Sequence, residues 1–259
     1  MLNPRFDPTL LSRVEDAGLN ASAPPQQRWL DGWLLRFSPG KAKRARCINA
    51  VARGRLPLND KLALCEQAFA EAGLPLIVRI TPLTEPDDLD AVLADIGLHR
   101  FDDTRVMVAA TLPAAPPPPL NERTTLHAIG LEQFAQRVGA LRGSPLAQRQ
   151  AHAQRLVNAP VPFFALELRV DGDLVCCGQF ALELDLVGLY DIYTAADARG
   201  RGHARLLCQH LLAQAQARGA RHAYLQVDAA NEAARSIYRQ LGFDDAYPYH
   251  YCARNPGTT

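Results

Sequence analysis

From Tyr193 to Ala204 the chain reads Tyr-Thr-Ala-Ala-Asp-Ala-Arg-Gly-Arg-Gly-His-Ala. An apolar run leads into this stretch and an amphipathic one leads out, so a strand passes through a two-glycine loop into a helix. That order makes an anion cradle. The first amides of a helix lack carbonyl partners and lie at the positive end of the helix dipole. Gly200 and Gly202 let a ligand come close to the backbone. Arg199, Arg201 and Arg205 add charge where a diphosphate would sit. The residues alone leave a second reading open, a tight strand–helix turn with solvated arginines. Further on, Asn231 stands at a helix start, where it can serve as an N-cap. Tyr238 shares a face of that helix with Ala234 and Leu241, as a packed core ring or as a proton donor. A phenol of pKa about 10 can donate to the thiolate of a thiol of pKa about 8.5.

Arg199-x-x-Gly202-x-Ala204 resembles the Arg/Gln-x-x-Gly-x-Gly/Ala signature of the GNAT superfamily of N-acetyltransferases. Val227-Asp228-Ala229-Ala230-Asn231, followed by Ala233 to Phe243, resembles that family's second signature segment. That segment has an Asn at a helix start, a Tyr two turns on, and a Leu-Gly-Phe ending. The resemblance covers about residues 163–253. It implies acetyl-CoA as cosubstrate, bound in a V-shaped opening between two parallel strands, here Leu186–Thr194 and His222–Val227. It implies that backbone groups of Ile192, Tyr193 and Thr194 bond the pantetheine and the acetyl amide. The amides of Arg199, Gly200, Arg201, Gly202, His203 and Ala204 would hold the pyrophosphate, with Arg205 close by. Asn231 would contact the cofactor and Tyr238 would protonate the departing thiolate. The amine acceptor is then a small molecule or a peptide.

The general base has no such match. Many relatives carry a glutamate near the start of the third strand of this segment; here the neighbourhood reads Leu184-Asp185-Leu186-Val187-Gly188. Asp191, on the same strand, is carried forward as the catalytic carboxylate. Glu183, Asp185 and Asp228 lie near strand ends and remain alternatives. Each can equally be a solvated or substrate-orienting carboxylate. The missing glutamate keeps a second function in view, a non-catalytic acyl-CoA sensor or interaction protein.

Periodicity supplies the elements that position these residues. Strands are expected at Arg123–Ile129, Phe163–Val170, Leu174–Leu182, Leu186–Thr194, His222–Val227 and Tyr247–Ala253. Asp171-Gly172-Asp173 is a hairpin turn. Helices are expected around 131–141, 145–157, 202–218 and 231–241. The third carries an apolar stripe through Ala204, Leu207, Cys208, Leu211, Leu212 and Ala215. Gly219 and Gly242 are C-terminal stops. The N-terminal half ends with a similar cadence: helix Asp60–Ala72, strand Leu76–Thr81, helix Asp87–Ile96, strand Thr104–Ala110. Ala94-Asp95-Ile96-Gly97-Leu98 parallels Arg239-Gln240-Leu241-Gly242-Phe243. Its Ala52-Arg53-Gly54-Arg55-Leu56 lacks the second glycine before the helix, so that copy is degenerate and binds no cofactor. Pro113–Pro119, with five prolines in seven residues, fixes φ and removes donors. The reading is an α/β chain of two tandem GNAT-like domains, 1–112 and 121–259, joined by a linker, 113–120. Each domain would be a mixed, partly antiparallel central sheet flanked by helices.

The remaining features exclude more than they assign. The chain has 259 residues, 48% apolar and 21% charged, with 28 basic against 27 acidic side chains. These are globular proportions, with no global charge to coat nucleic acid or an anionic membrane. Lys41-Ala42-Lys43-Arg44-Ala45-Arg46 reads as a solvated loop or edge strand rather than a nucleic-acid patch. Six cysteines form no CxxC pair, and the histidines form neither HxxxH nor HxH, so no metal site is expected. Trp29 and Trp33 flank Asp31-Gly32 in a hairpin whose indoles pack in the core. Tyr247, Tyr249 and Tyr251 share one strand face and cover the core. No secretory leader and no membrane span are evident, so a cytoplasmic protein, monomeric or homodimeric, is expected.

Overall fold

The computed structural model describes every residue except Pro39, Lys41, Ala114 and Thr259, and only the backbone of Thr258. Lys41 of the basic stretch and Ala114 of the proline segment therefore lie outside the described residues. The C-terminal half runs β6 (Thr124–Ile129), α4 (Leu131–Leu141), α5 (Leu146–Val157), β7 (Phe163–Val170), β8 (Asp173–Glu183), β9 (Leu186–Thr194), α6 (His203–Gln216), β10 (His222–Asp228), α7 (Glu232–Gln240) and β11 (Asp244–Ala253). The N-terminal half runs α1 (Pro8–Ala21), β1 (Gln26–Leu30), β2 (Trp33–Phe37), β3 (Ile48–Ala50), α2 (Leu58–Glu71), β4 (Val78–Ile80), α3 (Leu89–Asp95) and β5 (His99–Ala109). From β1 and β7 onward the two halves repeat the same order of element types: hairpin, strand, helix, strand, helix, strand.

Among the described residues, eleven strands form one sheet, in the order β1-β2-β3-β4-β11-β5-β10-β9-β8-β7-β6. Each half contributes one parallel pair, β3 with β4 and β9 with β10, among otherwise antiparallel neighbours. The middle of the sheet is an exchange. β11, last in the C-terminal half, lies between β4 and β5; β5, last in the N-terminal half, lies between β11 and β10. The halves separated by the sequence cadence are thus interleaved, and the sheet is unbroken at residues 113–120. The proline segment runs from central β5 to the edge strand β6, five strands away. At about 4.8 Å per strand that is about 24 Å. Extended proline-rich chain gains about 3.1 Å per residue and spans it with residues to spare. On the way it lies along α6: Leu112, Pro113, Pro116 and Pro117 face Leu212, Gln216 and Leu241 across a narrow groove.

The core follows the pattern of apolar positions. Leu207, Cys208, Leu211, Leu212 and Ala215 of α6 are buried against β7, β8, β9 and β10. On the opposite face, α1 buries Leu10, Leu11, Val14 and Ala17 beside Tyr247, Tyr249 and Tyr251 of β11. Those three rings cover the core as expected. Trp33 is likewise fully buried, but Trp29 points outward and is 63% exposed. Directly opposite residues of a hairpin share a face and neighbours alternate; the register pairs Trp29 with Leu34 and Leu30 with Trp33, so the two indoles point to opposite faces. Among the described residues, no helix is long and apolar enough to cross a membrane.

Candidate active site

β9 and β10 pair in parallel from Leu186↔His222 to Leu189↔Leu225 and then part. The cause lies on the other side of β9. The ladder with β8 slips between Cys177 and Gln179, and Asp191 takes φ +53°. A bulge of this kind bends the strand and turns its backbone groups away from the ladder. A short turn at Ala196–Ala198, anchored by buried Ala198, leads to Gly200 (φ +76°) and Gly202 (φ +81°). Gly202 caps α6 with no side chain over the helix end, and a Cβ at Gly200 or Gly202 would meet nothing within 4 Å. The first amides of α6 therefore open onto free space.

That space is a cleft of about 890 Å³. It is lined by Ile192, Tyr193, Thr194, Arg199, Gly200, Arg201, Gly202, His203, Ala204, Arg205, Asn231 and Tyr238, so those sequence-predicted residues come together. Arg199 lies near the Tyr193 ring and donates to its hydroxyl (3.3 Å), while Arg205 donates to Gln240 (3.1 Å). Burial, with Arg201 beside it, lowers the His203 pKa and favours its neutral form. Asn231 Oδ1 caps α7 by accepting from the Ala234 amide at 3.1 Å. The cap consumes only the carbonyl end, so capping and ligand contact by the side-chain NH₂ are compatible.

Beyond the parted strands lies a second cavity, of about 340 Å³. Ile192, Asn231, Ala234 and Tyr238 line both spaces, so the two meet at Tyr238. Burial, with the Cys208 and Cys176 thiols behind the ring, pushes the Tyr238 phenol well above its usual range. It keeps its proton at any physiological pH and can act only as a donor. Asp191 lines the second cavity with its carboxylate fully engaged. Arg142 donates at 2.9 Å, Gln179 at 2.8 Å, and His152 Nε2 lies 3.2 Å away. Burial raises its pKa, but the His152 hydrogen bond and the Arg142, His152 and Arg155 charges outweigh burial and hold it far below the usual carboxylate range.

That overturns the expectation that Asp191 takes a proton: a carboxylate with so low a proton affinity is no base near neutral pH. Its place is structural, a charge that fixes Arg142 and His152 on the cavity wall. Glu183 and Asp185 are remote, at the opposite end of β9. Asn20 donates to Glu183, and Asp185 pairs with Arg13 and His222. Asp228 remains. It lines the second cavity, accepts the Ala230 amide at 2.8 Å, and has no cationic partner among the described residues.

Arg44, Arg142, His152 and Arg155 escaped sequence reasoning. Arg142 caps the end of α4 and Arg155 lies on α5, helices expected from the sequence but carrying no motif. The basic stretch divides: Lys43 pairs with Asp102 at 2.5 Å, whereas Arg44 turns inward to bond Gln226 and line the second cavity. No local pattern marks that inward turn.

The counterpart loop in the N-terminal half is filled from within. Asp31, at the tip of the β1–β2 hairpin, accepts the Arg55 and Leu56 amides at 2.8 and 2.9 Å. Lys61, 1% exposed, pairs with that carboxylate at 3.2 Å and bonds the Arg53 carbonyl. An internal carboxylate thus occupies the amides that a phosphate would need. Against expectation, three metal-ligand types do meet: Asp90, His250 and Cys252 hold their donor atoms within 4.8 Å of one another. Asp90 and His250 Nε2 are directly hydrogen-bonded at 2.9 Å. Burial and the Asp90 charge push the Cys252 thiol to about 12, so it is a poor thiolate ligand.

Residues 130–243, which contain the loop, the parted strands and Tyr238, match the acetyltransferase (GNAT) family. The uncharacterized N-acetyltransferase YobR of Bacillus subtilis is 26% identical over 231 residues, 87% of this chain and 91% of that protein. The ribosomal protein bS18-alanine N-acetyltransferase of Salmonella typhimurium is 32% identical over 84 residues, 32% of this chain and 57% of that protein. In fold, the chain is similar to a GCN5-related N-acetyltransferase from Kribbella flavida, with TM-score 0.68, 17% identity, and 93% and 94% of the two chains covered. It is also similar to a tandem GNAT protein from the clavulanic acid biosynthesis pathway, with TM-score 0.63, 16% identity, and 76% and 70% covered. The match over 130–243 and the relatives named N-acetyltransferase agree: the protein is an acetyltransferase.

Proposed function

We propose that the protein moves an acetyl group from acetyl-CoA directly to a primary amine. The observation that carries this reading is the meeting of the two spaces at Tyr238: a long cleft ending in bare helix amides on one side, a closed-in polar cavity on the other. The amides at Gly200–Ala204 face a diphosphate, and Arg199, Arg201 and Arg205 neutralise its charge. The unpaired edge of β9 at Ile192–Thr194 bonds an extended amide chain as a neighbouring strand would. Its N–H groups polarise the thioester carbonyl where negative charge develops. Alignment of amine and thioester across the parted strands makes the attack effectively unimolecular.

As the new C–N bond forms, the amine proton passes through water toward Asp228. As the C–S bond breaks, Tyr238 gives its proton to the sulfur and recovers one from solvent. The N-terminal half serves this reaction as a wall: Ala21, Ser22, Ala42, Arg44 and Ala45 close the acceptor cavity. We read the halves, 1–112 and 121–259, as two copies of one unit, with only the second keeping an open cradle. The one-for-one order of elements and the Asp31-filled loop support that reading. A free-thiol assay with acetyl-CoA across amine classes tests the function. Thiol release with a product heavier by one acetyl group is expected; no release with any amine class would overturn it.

A further inference from the structure

We infer that the amine acceptor also carries an anionic group, a carboxylate in the simplest case, held between Arg44 and Arg155. The inference rests on the reading of the second cavity as the acceptor site. Arg44 and Arg155 both line that cavity, and neither has a carboxylate within ion-pair distance among the described residues. Arg155 donates only to the Ala21 carbonyl, at 3.2 Å, and Arg44 to the neutral amide of Gln226. Both residues are partly buried where they line the cavity, and burial lowers the Arg155 pKa.

A shielded cation without a counter-charge is costly, and such groups are ordinarily paired. The carboxylates nearby are already committed. Glu15 is bound to Arg79 and to the Tyr247 hydroxyl, and Asp191 to Arg142, Gln179 and His152. Asp228 lies toward the transfer end, three residues before Asn231 in the chain. The cavity therefore has Asp228 toward Tyr238 and, against α1 and α5, two guanidinium groups with no carboxylate bound directly to them. A molecule with an amine at one end and an anion at the other satisfies both. The volume of about 340 Å³ suits a molecule of amino-acid size.

The test compares amino acids with their own carboxamides, and with linear diamines, at low salt. Thiol release is followed alongside calorimetric binding in the presence of CoA. The expected result is a preference of about ten- to a hundredfold in kcat/KM for the carboxylate over its amide, the range for a hydrogen bond to a charged group. Arg155→Gln and Arg44→Gln should each shrink that ratio toward one, and Arg155→Lys should retain part of it. The wild-type ratio alone decides the matter if a variant fails to fold. Carboxamides or diamines used as well as or better than carboxylates would overturn the inference and leave the transferase reading intact. Silence with every amine, but tighter binding of carboxylate-bearing amines that needs Arg155, would keep the inference and sink the transferase reading. Silence with no such binding would sink both.

Discussion

Tyr238 and Asp191 show how environment decides the work of a titratable group. Tyr238 loses solvent without gaining a stabilising cation, so its proton is retained; Asp191 loses solvent but gains three donors, so its charge is retained. Tyr238→Phe should lower kcat by about a hundredfold or more, with acetyl-CoA affinity nearly unchanged by calorimetry. Because the phenol pKa lies above its usual value, wild-type turnover should show no alkaline fall from this group up to pH 9.5; a fall that Tyr238→Phe abolishes would refute that assignment. For Asp191 the folded pKa lies below the unfolded one. Its stabilisation is thus complete above about pH 4 and is lost as pH falls further. Asp191→Asn should cost about 3–5 kcal/mol at pH 7, because it leaves Arg142 and His152 without their carboxylate. Denaturant titrations at pH 7 and pH 3 should show that gap narrowing at the lower pH.

At the scale of elements, the sequence exposed whatever rests on backbone chemistry. Gly200 and Gly202 are legible because a left-handed backbone and an open helix end demand a residue without a Cβ. α6 and the β9–β10 unit are legible because burial imposes their apolar spacing. The second cavity is not legible. Its charged wall gathers Arg44 from a turn, Arg142 and Arg155 from two helix ends, and Asp191 from a bulge, and no period links them. Asp191 illustrates the limit: its strand was evident, but the partners that disqualify it as a base lie on α4, α5 and β8. Gly202→Ala tests the loop itself. With open space around the new Cβ, the cost is backbone strain alone, about 1–2 kcal/mol. The substitution should weaken acetyl-CoA binding measurably while leaving the fold, followed by circular dichroism, unchanged.

For the whole molecule, the decisive feature is the exchange of β5 and β11. Met107 and Val108 of β5 have no exposure, and their strand pairs with β10 on one side and β11 on the other. The halves therefore share a core and should melt as one unit. Calorimetric and van't Hoff enthalpies should agree, and Met107→Ala, at about 2–5 kcal/mol, should lower the single transition without splitting it. Two separable transitions would show that the halves fold independently. The exchange was invisible in sequence because β5 and β11 each end in a continuous buried run, which marks a strand covered on both faces but not its neighbour. Interleaving also gives the N-terminal half its place in the molecule, since it supplies a central strand and part of the wall of the second cavity.

The central claim is that the amides before α6 hold the diphosphate of acetyl-CoA. Calorimetric titration of the wild-type chain and Gly202→Glu with acetyl-CoA tests it most directly. A new carboxylate in the cradle opposes the phosphates, and like charges set together cost several kcal/mol, so affinity should fall by about a hundredfold or more. Equal affinity in the two proteins, or no heat from the wild type, would contradict it.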